Sequence, residues 1–232
     1  MAIYAWHFLP GDGTKYAYKF QPVKPDGVPF TVRGRIVPCS NGLHASTRLY
    51  DALGYAQGAT LCRVKCEIDI VKQSDKLACR KRTILWRLDR DEFSNILYET
   101  IVWCVKNLKN KDGETIDKAM QRKIRSQIGP VQVMLRTWSA TLRALSGKKI
   151  TDAQRTLLVQ CEYNGFTTLS YFSYVAHTRL VLPNLMSVAF RGLRSSLKSI
   201  TRIMDYTVSS AIINKELERR VFEYHRNKLK QR

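Results

Sequence analysis

The feature that most restricts the fold of this chain is a change of hydrophobic period near residue 90. Before it, apolar and polar residues alternate, the spacing of half-buried strands; after it, apolar residues recur every three or four positions, the spacing of helices. Ile3–Leu9 alternates, Pro10-Gly11-Asp12-Gly13 has the composition of a hairpin turn, and residues 16–20 read as the answering strand. Residues 29–37, 60–71 and 77–88 read as three further strands, and only residues 48–55 read as a helix in this half.

Beyond Asp89 the helical period begins with Phe93, Ile96, Leu97, Ile101 and Val105, and residues 110–113 break it. A second helical stretch covers residues 115–145, is interrupted at Gly129-Pro130 and stops at Gly147. A third starts at the Thr151-Asp152 cap signal. A fourth follows Pro183-Asn184 and runs to about Lys230 with only Gly192 inside it. The expected fold class is therefore α+β: a small N-terminal mixed β domain with one or two helices over residues 1–95, and a mainly α-helical region over residues 96–232.

Charge separates the same two parts. The chain of 232 residues carries 39 Lys and Arg against 19 Asp and Glu, a formal net charge of +20. Residues 1–95 hold 15 basic and 9 acidic side chains, whereas residues 96–232 hold 24 and 10, so the excess sits in the helical region. A field of this sign attracts polyanions, which makes nucleic acid or an acidic protein the expected partner. No run approaches the length of a membrane span, and the first 26 residues lack a basic start followed by an apolar run, so neither a span nor a secretory leader is expected. Six dispersed cysteines, Cys39, Cys62, Cys66, Cys79, Cys104 and Cys161, suit a reducing cytoplasm better than a disulfide scaffold.

The basic excess has a pattern. Arg191, Arg194, Lys198 and Arg202 recur at helical spacing and form a stripe about 16 Å long, while Leu193, Leu197, Ile200, Met204 and Val208 mark another face. With Lys148 and Lys149, these side chains are the expected nucleic-acid-binding residues; their contacts would go to phosphates and carry little sequence preference. The last stretch, with Glu216, Glu218 and Glu223 among Arg219, Arg220, Arg226 and Lys228, reads as a charged helix with a solvated or coiled-coil surface. His177 and His225 read as ordinary helix residues.

Catalytic motifs are sparse. The nucleotide and hydrolase signatures GxxxxGK[ST], GxGxxG, GxSxG and HExxH are all missing. Cys62 and Cys66 lie four apart on an expected strand, about 13 Å along it, too far to share one metal, and joining Cys39, Cys79 and His44 to them makes no recognisable ligand set. The cysteines are expected to be structural, and no metal or cofactor is expected.

The stretch Cys39-Ser40-Asn41-Gly42-Leu43-His44-Ala45-Ser46 is followed by Asp51-Ala52-Leu53-Gly54-Tyr55-Ala56 and Ala59-Thr60-Leu61-Cys62-Arg63-Val64. Asp75-Lys76-Leu77 and Arg82-Thr83-Ile84-Leu85-Trp86-Arg87 come next. Together these resemble an uncharacterised domain family of tailed-phage genomes over residues 1–95. The resemblance implies phage origin and a place in the host cytoplasm or the virion, with a packaged structural protein as one alternative.

The same residues also resemble, more weakly, the ADP-ribosyltransferase superfamily. In that resemblance His7 of Tyr4-Ala5-Trp6-His7-Phe8 matches the ribose-binding histidine. His44 stands where an aromatic side chain stacks on nicotinamide, and Ser46 follows on the same strand. This implies a cleft for NAD, and an enzyme modifying a host target becomes the alternative to nucleic-acid binding. The superfamily's catalytic glutamate has no match: the corresponding place reads Arg80-Lys81-Arg82-Thr83, and Glu67 comes too early. Without a carboxylate to stabilise an oxocarbenium ion, transfer is not expected. His7, His44 and Ser46 are the candidate catalytic residues, with structural roles as the competing reading.

Overall fold

The computed structural model describes residues 1–11, 13–15, 21–110, 112–126, 131–163, 169, 172–173, 175–176, 190–204 and 206–231. The protein is α+β, with the strands of the described residues in its first part and a helical region after them. It divides into two compact units, Met1–Phe93 with Leu217–Arg232, and Ser94–Glu216. The strand-to-helix change thus coincides with a unit boundary, but the last stretch of helix belongs with the sheets rather than with the helical region.

In the first unit, β1 (Ile3–Leu9), β2 (Pro29–Thr31), β4 (Thr60–Glu67) and β7 (Lys81–Leu88) form a four-stranded sheet in the order β1-β4-β7-β2. A second sheet has the order β3-β6-β5, from β3 (Leu43–Ala45), β5 (Val71–Lys72) and β6 (Leu77–Cys79). All ladders are antiparallel, with His7 opposite Cys62 and His44 opposite Ala78. The sheets meet where Trp6 and Ser46 exchange backbone hydrogen bonds of 2.7 and 2.9 Å. The short helix α1 (Leu49–Gly54) follows β3 and packs on β1.

Three expected strands are shorter than their hydrophobic runs. Of residues 29–37 only Pro29–Thr31 forms a strand, because Gly34 takes a φ of +84° and the carbonyls of Arg33 and Arg35 bond to Asn41 Nδ2 instead of to a ladder. Residues 60–71 end as a strand at Glu67, where Ile68 and Asp69 turn through positive φ. Residues 77–88 divide at Arg80, so that one apolar run supplies a strand to each sheet. The expected partner strand at residues 16–20 lies outside the described residues, as do Asp12, Gly129-Pro130 and Pro183-Asn184.

Both faces of β1 are covered. Ala5 and Leu9 join Leu43, Ala45, Val64, Leu77, Ala78 and Ile84 in the core between the sheets. On the other face, Phe8 packs edge-on to Phe93, and Trp6 meets Trp86 and Phe222 at ring-centre distances of 5.8 and 5.3 Å. Two-sided burial demands close backbone approach beside β1, and Gly58 permits it. A Cβ there would meet the Leu9 carbonyl oxygen and lie 2.8 Å from Gly11 N, both backbone atoms that cannot swing aside. Gly58→Ala is therefore expected to cost about 2–3 kcal/mol, read as a lower denaturant midpoint with unchanged slope.

The second unit is helical. It comprises α2 (Arg90–Asn107) beyond Phe93, α3 (Ile116–Arg125), α4 (Val131–Leu145), α5 (Asp152–Tyr163), α6 (Phe190–Met204) and the first part of α7 (Tyr206–Lys230). The cap signal at Thr151 is a reciprocal capping box: Gln154 N donates to Thr151 Oγ1 at 3.2 Å, and Thr151 N to Gln154 Oε1 at 3.0 Å. Thr115 caps α3, and Asp117 in its first turn accepts Trp138 Nε1 of α4 at 2.8 Å.

Candidate functional site

The first unit holds a cleft of about 260 Å³. Trp6, His7 and Phe8 of β1 line it from one side and His44, Ala45 and Ser46 of and after β3 from another; Ala52 and Tyr55 come from α1 and its end, with Gln57, Cys39 and Lys76 completing the wall. All three candidate catalytic residues therefore lie in one cavity. The strand alternation explains His7: it shares a face with Ala5 and Leu9, between the sheets, not with Tyr4 and Trp6.

His44 lies within β3 rather than in a turn. Its carbonyl accepts hydrogen bonds from the His7 ring and from Arg82 Nη1, tying β1, β3 and β7 together. Its Nε2 accepts the Cys39 backbone N–H at 3.0 Å. His7 Nε2, by contrast, is buried without a hydrogen-bond partner. Burial holds the His7 imidazole well below the ordinary range, with Arg82 and His44 adding to the effect; burial, Lys76 and Arg82 lower His44 in the same direction.

These shifts have a measurable consequence. Each folded histidine resists a proton that the unfolded chain accepts near 6.5, so stability is full above that value and falls as pH drops below it toward the folded values. The denaturant midpoint is expected to be lower at about pH 5.5 than at about pH 7.5, and a His7→Gln, His44→Gln variant to lose part of that slope. An unchanged slope in the double variant would show that carboxylates alone govern it.

The rest of the wall is aromatic and cationic. Lys76 Nζ lies 4.7 Å from the Tyr55 ring centre, and the Tyr55 hydroxyl donates to Asp75. Among the described residues that line the cleft, none is Asp or Glu. Arg82 of β7 is 3% exposed and donates to the His44 carbonyl. Sequence reasoning did not single out Cys39, Lys76 or Arg82 for the cleft; all three lie within quoted motifs, but only the pairing of β3 with β6 and of β4 with β7 brings them near His7 and His44.

The remaining assignments can be placed too. Cys62, Cys66, Cys79 and Cys104 are buried and reduced, Cys39 is exposed, and the Cys161 side chain lies outside the described residues. No group of three or more metal-ligating side chains occurs among the described residues. His177 also lies outside them. His225 is not an ordinary surface residue: its ring stacks on Trp86 at 4.1 Å and 17°.

On α6, Leu193, Leu197, Ile200 and Met204 are buried, and Arg194, Lys198 and Arg202 share another face, half-buried, half-buried and exposed in turn. The Lys198 ammonium is lowered first by partial burial and then by Arg194 and Arg202. Lys148 and Lys149 are exposed between α4 and α5, and the Arg191 and Val208 side chains lie outside the described residues. No helix among the described residues is long and apolar enough to cross a membrane.

Residues 11–96 match a protein-family model whose description is Domain of unknown function (DUF7666). The match contains Cys39, His44, Ser46, Tyr55 and Lys76 of the cleft and stops short of His7, in keeping with the uncharacterised domain expected over this part of the chain. No curated protein and no solved structure matches the chain.

Proposed function

We propose that the first unit binds a nucleotide of the NAD type in its cleft, and holds it without transferring ADP-ribose. The observation that carries this reading is the buried, unpartnered Nε2 of His7, a residue that lines the cleft together with His44 and Ser46. A buried polar atom without a partner costs free energy, which a ligand hydroxyl would recover. The other walls suit the remaining parts of such a ligand: Tyr55 offers a face for a planar ring, and Lys76 offers a cation for a phosphate. The ADP-ribosyltransferase resemblance assigns His7 the same ribose contact. No described lining residue is Asp or Glu, in keeping with the missing sequence match for the catalytic glutamate.

Calorimetric titration with NAD and with ADP-ribose tests this. Binding that weakens about tenfold in His7→Ala, the worth of one hydrogen bond, is expected; no heat at millimolar ligand, or equal affinity in the variant, would sink it. Incubation with labelled NAD and host lysate is expected to transfer no label above a His7→Ala, His44→Ala control. Transfer lost in that control would make the protein an ADP-ribosyltransferase acting on a host target.

The second unit supports a separate reading, binding of nucleic acid, or of an acidic host or virion assembly, through α6. Lys198 favours it, because its charge is held against two neighbouring guanidinium groups in a geometry that an incoming phosphate relieves. Phage origin, with action in the host cytoplasm or the virion, completes the proposal. Mass spectrometry of what copurifies from infected cells, with and without nuclease, tests it.

A further inference from the structure

We propose that Cys39 is a thiol–disulfide exchange site at the exposed edge of the cleft, taking small anionic disulfides of the glutathione type. The proposal rests on the geometry of the cleft and not on the nucleotide reading. Cys39 is exposed, whereas Cys62, Cys66, Cys79 and Cys104 are buried. Burial pushes the Cys62 thiol up to about 12, and Cys66 is raised by its hydrogen bond with Cys79 and by burial, so neither competes as a nucleophile.

The surroundings of Cys39 are those of a reactive thiol. Lys76 Nζ donates to its Sγ at 3.1 Å, and that hydrogen bond is the leading cause of a raised Lys76 pKa, so the side chain stays cationic. An ammonium at this distance attracts an anionic disulfide to the sulfur. The Cys39 backbone is anchored by its N–H to His44 Nε2, and the residue lines the cavity. His7, with its unpartnered Nε2, lines the same cavity, so the thiol borders a space prepared for a polar ligand.

The step balances without further reagents. The Cys39 thiolate attacks one sulfur of the disulfide, a new S–S bond forms as the old one breaks, and the other half leaves as a thiolate that takes up the proton Cys39 released. The mixed disulfide places a bulky anionic group at the cleft edge, and excess thiol reverses it.

The test is incubation of the folded full chain with oxidised glutathione, followed by intact mass measurement and peptide mapping. One adduct is expected, on Cys39, forming about tenfold faster than in Lys76→Met, with Lys76→Arg retaining most of the rate. Cys39→Gly is expected to fold and take no adduct, since glycine suits the φ of +68° at this position. Equal rates in wild type and Lys76→Met, or a first adduct on another cysteine, would overturn the proposal. Should Lys76→Met fail to fold, wild type decides alone: Cys39 must react faster in the native chain than in urea, and an equal or slower native rate overturns it.

Discussion

Replacing Arg194, Lys198 and Arg202 together by Gln is expected to leave the fold intact and to weaken nucleic-acid binding about a thousandfold at about 50 mM salt. Glutamine has nearly the helix propensity of the residues it replaces and similar stem length, so α6 and its buried Leu193, Leu197, Ile200 and Met204 keep their packing. Relief of the repulsion around Lys198 is expected to raise the unfolding midpoint slightly. The affinity loss follows from counterion release, at roughly 0.9 ion per phosphate contact. The slope of log K against log salt is therefore expected to become shallower by about three, which a filter-binding or anisotropy series reads directly. A wild type that binds no duplex or single strand at low salt would transfer the reading to an acidic protein partner. A variant with the full wild-type slope would move the phosphate contacts to Lys148 and Lys149.

Removing residues 217–232 is expected to destabilise the first unit by roughly 5 kcal/mol, enough to leave it mostly unfolded. The loss has two parts. Phe222 and His225 cover Trp6 and Trp86, and the Arg63 guanidinium lies 4.4 Å from the Trp6 ring centre within this aromatic cluster. Glu218 Oε1 accepts both Trp6 Nε1 at 2.9 Å and Leu49 N at 3.1 Å, so its removal leaves two buried donors without an acceptor. Lys228 and Tyr224 also bond to Glu92 at the start of α2. Tryptophan fluorescence and amide exchange of the truncated chain measure the effect. Glu218→Ala alone is expected to cost about 2–3 kcal/mol, and a peptide of residues 217–231 added in trans to restore protection in β1 and α1. Protection in β1 that survives the truncation would show that the sheets hold Trp6 unaided.

The period change near residue 90 was legible because it reports directly on which residues must be buried. The capping box at Thr151, the helix at Leu49 and the apolar face of α6 were legible for the same local reasons. Strand ends were not: hydrophobic alternation continues smoothly through Arg80 and Glu67, while the chain turns there to enter another sheet. His7 and His44 could be named from sequence, and a common cleft only through the resemblance, since their meeting depends on pairing between β1, β3, β4 and β7. The end of α7 was read as a surface helix because its charges repeat at helical spacing. Nothing in that pattern shows that Glu218 serves two donors more than 160 positions away.

That separation also sets an order of events during synthesis. Trp6 leaves the ribosome 212 positions before the carboxylate that satisfies its indole. The sheets must stay incomplete, with the aromatic face of β1 uncovered, while those 212 positions are made, and Ser94–Glu216 can close on itself beforehand. At about 5–20 residues per second this is a wait of ten seconds or more, in which a chaperone that shields tryptophan-rich strands has its opportunity.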